Sequence, residues 1–271
     1  MPELPEVETT RRGLEPHVVG RRIAALVVRE RRLRRPIPRG LEARLAGAEI
    51  TGVARRGKYL LLATDRGSAL AHLGMSGSLR IVNAETTPAL HDHYDLVLAN
   101  GRAVRYRDPR RFGLLLWAGR AHDRHPLLAG LGPEPLGPDF DGTHLLRLSR
   151  GRRAPVKAFL MDSAIVAGVG NIYANESLFR AGIHPRRAAG RIGAARYEVL
   201  ARTIRAVLTE AIEQGGTTLR DFVAAEGAPG YFRIRLAVYE RAGAPCPLCA
   251  APLRREVIAQ RASYYCPHCQ H

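Results

Sequence analysis

The sequence predicts an α+β protein of several domains: an N-terminal β-sandwich of two antiparallel sheets, a helical domain, and a C-terminal β-ribbon module built around cysteines. Three observations predict this. Segments rich in Val, Leu, Ile and Tyr crowd the first half, apolar residues recur at three- and four-residue spacing in the second, and every cysteine lies after Val238. At 271 residues the chain exceeds one typical module and has ample material for a core, with 46% hydrophobic residues.

The elements follow in order. Pro5 and the VETTRRGLEP that follows it predict a short opening helix, and Arg22–Glu30 predicts the first strand. Glu49–Thr64, Ala69–Val82 and Tyr94–Trp117 supply the remaining strands, with a type I′ hairpin expected at Asn100-Gly101. The sheet domain is thus expected over residues 1–129. The stretch 130–141 holds Pro133, Pro135 and Pro138 among glycines and predicts a linker. Helices are expected at Asn171–Arg180 and Ala194–Gln214 within a domain over 142–237, closed by Gly215-Gly216. The cysteine module takes 238–271.

Composition narrows the function. Lys and Arg outnumber Asp and Glu by 42 to 25, a formal charge of +17, and the resulting positive field favours a polyanionic partner, nucleic acid first. No run approaches the roughly 18 apolar residues of a membrane helix. The opening MPELPEVETT has no apolar secretory region, so a cytoplasmic protein without disulfides is expected. Only Lys58 and Lys157 among the basic residues are lysines. Arginine stays protonated, whereas lysine offers a compact ammonium that can lose a proton, so both are candidates for specific tasks.

The strongest local signal is Cys246-x2-Cys249-x16-Cys266-x2-Cys269, two knuckles whose thiolates can converge tetrahedrally on one structural zinc ion. Four thiolates leave no open coordination position. Between the knuckles, Arg261, Tyr264 and Tyr265 form a basic and aromatic stretch suited to DNA. At the other end of the chain, loss of Met1 would expose the secondary amine of Pro2. An α-amino group has a reference pKa of about 7.7 to 8.0, so a useful fraction is neutral and nucleophilic. Glu3 and Glu6 are close enough in sequence to act as acid or base beside it, though acidic residues also suit a first helical turn electrostatically.

The opening PELPEVETTRRGL resembles the signature of the formamidopyrimidine-DNA glycosylase family. The likeness continues in order through RRGKYL, HLGMSG, HDHYDLVL, DPRRFG, APVKAFLMD, GVGNIYANE, GGTTLRDF and CPHCQ, covering essentially the whole chain. The resemblance implies a helix-two-turn-helix in the helical domain, a zinc finger at the C-terminus, and damaged double-stranded DNA in the cleft between the domains. It implies a bifunctional glycosylase and abasic-site lyase acting on oxidised purines, monomeric and bacterial, working at the nucleoid. Base excision would be followed by β- and δ-elimination.

Roles follow residue by residue. Pro2 matches the family's Schiff-base nucleophile, Glu3 its general acid, Glu6 a supporting carboxylate, and Lys58 a proton donor and phosphate contact. Met75, Arg110 and Phe112 match the triad inserted where the damaged nucleotide leaves the duplex. Extrusion costs a few kcal/mol, and apolar wedges with an arginine can fill the void. Asn171 matches a contact to the lesion phosphate, and helix N-termini suit anions in general. His91 and Arg152 match further DNA contacts, Lys157 a residue near lesion or phosphates, and Arg261 the zinc-module arginine implicated in the second elimination. Thr217 to Tyr231 resembles the lesion-covering loop. The chain departs from the family pattern with Arg233 for glutamine, Glu240 for glycine and a final His271. An endonuclease VIII-like enzyme for oxidised pyrimidines and a non-catalytic zinc-ribbon DNA-binding protein are the rival readings.

Overall fold

The computed structural model describes residues 2–215 and 236–271. They form two compact units, one up to Ala129 and one combining Gly130–Glu213 with the described residues from 236 on.

The first unit opens with helix α1 (Leu4–Val18), followed by strand β1 (Ile23–Val28) and a short helix α2 (Leu41–Leu45). Seven strands complete it: β2 (Ile50–Arg56), β3 (Tyr59–Thr64), β4 (Gly67–His72), β5 (Ser78–Asn83), β6 (Asp92–Leu98), β7 (Arg102–Arg107) and β8 (Leu114–Gly119). They pair into two four-stranded sheets, ordered β1-β6-β7-β5 and β2-β3-β4-β8, with each of these pairings antiparallel. This is the expected two-sheet sandwich.

Helix α1 buries Leu4, Val7, Leu14 and Val18, a stripe at helical spacing, and packs against β2 and β3 of one sheet and β5 of the other. The shared core joins Leu26, Leu79, Leu96 and Val104 from one sheet with Val53, Leu60, Ala69 and Leu115 from the other. On β7 burial is continuous over Ala103–Tyr106, because Arg105 lies buried between its neighbours. Its guanidinium pairs with Asp95 at 2.8 Å and donates to the Thr86 carbonyl at 2.7 Å. A buried ion pair is tolerated only when its remaining hydrogen-bonding groups are satisfied in this way.

The β6–β7 connection differs from the sequence expectation. Leu98 is followed by the three residues Ala99, Asn100 and Gly101, of which only Gly101 has positive φ, at 79°. A type I′ turn needs two positive φ values, so this hairpin is the three-residue kind, with glycine in the left-handed position.

The second unit contains α3 (Gly142–Ser149), α4 (Val156–Met161), α5 (Asn171–Arg180), α6 (Ala194–Glu213) and the hairpin β9 (Arg254–Ile258) and β10 (Arg261–Tyr265). Helix α3 starts where the Asp141 side chain accepts the His144 amide at 2.7 Å, an ordinary N-cap. Helix α6 packs on α3 and α5, α4 on α5, and β10 on α5. The zinc module has a small core of Phe179, Val238, Cys246, Leu253, Tyr264 and Cys266. Tyr264, expected on a DNA-facing surface, is therefore buried, its ring 5.2 Å from that of Tyr239. Tyr265 is half-buried and meets His184 edge-on at 4.4 Å. The segment resembling the lesion-covering loop, Thr217 to Tyr231, and the departure at Arg233 lie outside the described residues.

Candidate functional site

In the first unit Pro2, Glu3 and Glu6 are all buried at the start of α1. Glu3 is extended, and its amide donates to Glu6 Oε2 at 2.8 Å. The Glu6 carboxylate thereby occupies an otherwise unpaired donor at the helix entrance and fixes the direction in which Pro2 leaves the helix. A third acid, Glu8, is given no role by the family resemblance. It holds Arg11, Arg12 and, across to β2, Arg55 at 3.0 Å. Burial pushes its carboxyl up, but the three guanidiniums outweigh burial and hold it below the ordinary range. Glu8 thus ties α1 to the strand that leads to Lys58.

Lys58 sits in the two-residue turn between β2 and β3, after Gly57 at φ 57°. Only a residue without a Cβ enters that position at no steric cost. Nearby His72, at the end of β4, has its pKa lowered to about 4 by burial, and then by the charges of Lys58 and Arg34. Its Nδ1 accepts the Gly74 amide at 2.8 Å, which requires the neutral ring.

Met75 is half-buried in the turn after β4, whereas Arg110 and Phe112 are exposed in the turn between β7 and β8, Phe112 by 42%. The Arg110 guanidinium carbon lies 4.9 Å from the Phe112 ring centroid, within cation–π range. The two turns meet backbone to backbone, since a Cβ on Gly74 would lie 2.5 Å from the Gly113 nitrogen. Beneath them lies Asp108, fully buried. Its Oδ1 accepts the Ser76 hydroxyl at 2.7 Å and the Arg110 amide at 3.2 Å, while Oδ2 accepts Tyr106 Oη and the Gly113 amide, both at 2.9 Å. Burial first, then the Asp108 charge, push the Tyr106 phenol well above its ordinary value and keep it a donor. His91 is half-buried with φ 73°, and its carbonyl accepts the Asp108 amide at 3.1 Å.

In the second unit Asn171 is the first residue of α5, after Gly170 at the N-cap. Its side-chain oxygen is buried with no hydrogen-bond partner. Asn175, one turn on, donates to the Asn171 carbonyl at 2.6 Å and accepts the Tyr264 amide at 2.8 Å. Glu176 is buried and accepts three successive amides, those of Ala237, Val238 and Tyr239, at 2.8–2.9 Å. These two polar residues on a buried helix face anchor the zinc module. Their signal in the sequence is the polar pair closing GVGNIYANE, a motif in which the family resemblance gives a role to Asn171 alone.

Arg152 is exposed, with Nε on the Leu148 carbonyl at 2.9 Å and its guanidinium carbon 5.5 Å from the Phe159 ring. Arg261 is exposed at the start of β10, beyond a tight turn in which Ala259 and Gln260 both have positive φ. Lys157, expected near lesion or phosphates, is only 1% exposed. Its ammonium donates inward, to the Ala262 carbonyl and the Ser263 hydroxyl, both at 2.6 Å. The cause is its place on α4, one residue after Val156 and facing β10.

The four cysteine sulfurs all lie within 4.8 Å of one another. Cys246 and Cys269 are 3.9 Å apart and Cys249 and Cys266 3.5 Å apart, close to the roughly 3.8 Å edge of a tetrahedron with Zn–S bonds of about 2.3 Å. A disulfide would need about 2.05 Å. The amides of Leu248 and Cys269 each point at a knuckle sulfur, Cys246 and Cys266 respectively, at 3.4 Å. The donor set fits one structural zinc ion.

Fold and site together define a two-sheet sandwich protein with a helix-two-turn-helix unit and a four-cysteine zinc finger. Three family models match in succession: the formamidopyrimidine-DNA glycosylase N-terminal domain over residues 1–115, its H2TH domain over 131–223, and the zinc finger found in FPG and IleRS over 243–271. The formamidopyrimidine-DNA glycosylase of Methylococcus capsulatus is 61% identical over 270 residues, and that of Nitrosococcus oceani 59% over 271, with complete coverage of both chains in each case. The MutM (Fpg) crystal structure from Thermus thermophilus superposes with a TM-score of 0.89 at 44% identity, covering 99% of this chain and 98% of that one. A Lactococcus lactis Fpg bound to DNA containing an abasic site gives 0.92 at 32% identity over all of both chains. The chain belongs to the formamidopyrimidine-DNA glycosylase family.

Proposed function

We propose that this protein is a bifunctional DNA glycosylase and abasic-site lyase that excises oxidised purines, 8-oxoguanine and formamidopyrimidines, from duplex DNA. The observation that carries the reading is the proline-led helix with two buried carboxylates, in a chain that matches glycosylases over its full length. Relatives crystallised with abasic-site DNA and with DNA containing Fapy-dG support the substrate class.

In this reading Met1 is removed and the Pro2 nitrogen attacks C1′ of the damaged nucleotide. The C–N bond forms as the glycosidic bond breaks, and the base leaves with the proton that Pro2 gives up; the C1′–O4′ bond then opens, with Glu3 supplying the proton to O4′ and Glu6 holding the Glu3 backbone. The resulting iminium acts as an electron sink. Loss of the C2′ proton expels the 3′ phosphate, a second elimination expels the 5′ phosphate, and water frees the Pro2 amine. Lys58 donates a proton and contacts phosphate in strand cleavage, and Arg261 serves the second elimination. Met75, Arg110 and Phe112 enter the void, and His91 and Arg152 contact the backbone. Asn171 meets the lesion phosphate, an assignment supported by its place at the N-terminus of α5, where unpaired backbone amides suit an anion. Lys157 acts indirectly, by holding the strand that begins with Arg261. The four-cysteine finger shapes the DNA-binding surface through its zinc ion. The protein works as a monomer in the bacterial cytoplasm, at the nucleoid; among the described residues no helix is long and apolar enough to cross a membrane.

Borohydride trapping on duplexes with 8-oxoguanine or an oxidised pyrimidine tests the reading. A covalent adduct through Pro2, favouring the 8-oxoguanine duplex and lost when an N-terminal tag is retained, is the expected result. Preference for the pyrimidine duplex would favour the endonuclease VIII-like reading, and binding without any adduct a non-catalytic one.

A further inference from the structure

We propose that Asp108 is a positioning residue that locks the Met75 turn and the Arg110–Phe112 turn into one preassembled platform before DNA arrives. The inference rests on the reading of Met75, Arg110 and Phe112 as the groups that enter the duplex.

Asp108 is fully buried, and its two oxygens accept four hydrogen bonds, from Ser76 beside Met75, from the Arg110 and Gly113 amides on either side of Phe112, and from Tyr106. Its main chain extends the same junction. The Asp108 carbonyl accepts His93 Nε2 at 2.7 Å, and its amide donates to the His91 carbonyl at 3.1 Å. One residue therefore fastens the turns that carry Met75, His91, Arg110 and Phe112. Two residues tied to it, His91 at φ 73° and Arg111 at φ 56°, occupy left-handed conformations that side chains disfavour, and such conformations persist only where surrounding bonds hold them.

The hub also transmits position. A Cβ at Gly113 would lie 1.7 Å from Tyr106 Oη and one at Gly77 2.5 Å from it, so both turns rest directly on the phenol that Asp108 holds. Neither turn can move without disturbing the other. A loop that must be ordered on binding loses affinity for the ordered state, whereas a preorganised one does not. A neutral amide cannot replace this carboxylate, because its NH2 group would face one of the donors that Asp108 now accepts.

The test is Asp108→Asn, which changes charge and donor pattern with almost no change in volume. Single-turnover kinetics are followed on two duplexes, one with 8-oxoguanine beside a fluorescent base analogue, the other with a preformed abasic site opposite a gap, where nothing needs to be extruded. The variant should slow both the fluorescence change and base excision by roughly tenfold to a hundredfold, as misplacement by about 1 Å does elsewhere. Abasic cleavage should stay close to wild type. Equal losses on both duplexes, or no loss on either, would overturn the proposal. If Asp108→Asn does not fold, Ser76→Ala cuts only the link to the Met75 turn and should show the same pattern more weakly; an unchanged fluorescence trace there overturns it too. Met75→Ala tests the underlying reading separately. If that variant keeps the fluorescence step, insertion itself is misassigned; if it loses the step while Asp108→Asn does not, only the positioning role falls.

Discussion

The Lys157 ammonium donates to the Ala262 carbonyl at 2.6 Å, so one of the two lysines in this arginine-rich chain directs its charge into the protein. Helix α4 thereby holds the strand whose first residue, Arg261, faces outward.

Lys157→Met should consequently lower stability by about 1–3 kcal/mol, the cost of leaving a buried carbonyl and hydroxyl without a donor. DNA affinity should keep its salt dependence, since no phosphate contact is lost. Arg261→Ala should instead reduce the slope of log affinity against log salt by about 0.9, the value for one released counterion. A salt titration of both variants checks this, and loss of such a unit of slope in Lys157→Met would place its ammonium on a phosphate.

Removing one thiolate opens a closed metal site. Cys249→Ala should release the zinc ion and unfold the module containing Leu253 and Tyr264, because a core this small depends on metal binding free energy, about 10–16 kcal/mol in zinc-finger peptides. The sandwich has its own core and should melt as before. Elemental analysis together with thermal melting decides the matter; retained zinc would break the assignment.

His72 offers a pH test. Its pKa is lowered to about 4, so between that value and the ordinary 6.5 the unfolded chain binds a proton that the folded one refuses. The contribution to stability is complete above about pH 6.5 and declines as the pH falls toward 4. In NMR the His72 ring should remain neutral at about pH 6, and a midpoint near the ordinary 6.5 would contradict the burial and the neighbouring charges of Lys58 and Arg34.

Glu240 has φ 58°, in the left-handed region, at the position where the family pattern carries glycine. A side chain there costs about 1–2 kcal/mol, partly offset in a glycine variant by greater freedom of the unfolded chain. Glu240→Gly should therefore stabilise the zinc module by roughly 0.5–1 kcal/mol. Chemical denaturation followed through the buried Tyr264 measures it, and a loss of stability would show that Glu240 makes a contact outweighing its backbone cost.

Local chemistry was legible wherever neighbours in sequence decide the outcome. Helix α5 runs over Asn171–Arg180 as expected, because Gly170 precedes its first turn, although it is buried continuously from Ile172 to Phe179 and not on one face alone. The cysteine spacing alone foretold four sulfurs close enough to hold one ion, since each knuckle is a local turn. Glycines at 74 and 113 likewise marked the turns of Met75 and Phe112. Long-range pairing decided the remainder. Asp108 lies in a motif that carries the family resemblance yet has no task legible there, because its partner Ser76, 32 residues away, meets it only when β5 pairs with β7. Lys157, Asn175 and Glu176 find acceptors and donors about 60 to 106 residues away along the chain, a distance over which no spacing rule operates. What the sequence determined by itself was the order of elements and the types of side chain available. Only the tertiary structure decided which of those side chains face outward and which are used up holding others, because burial and hydrogen bonding of a polar group depend on what folding brings beside it.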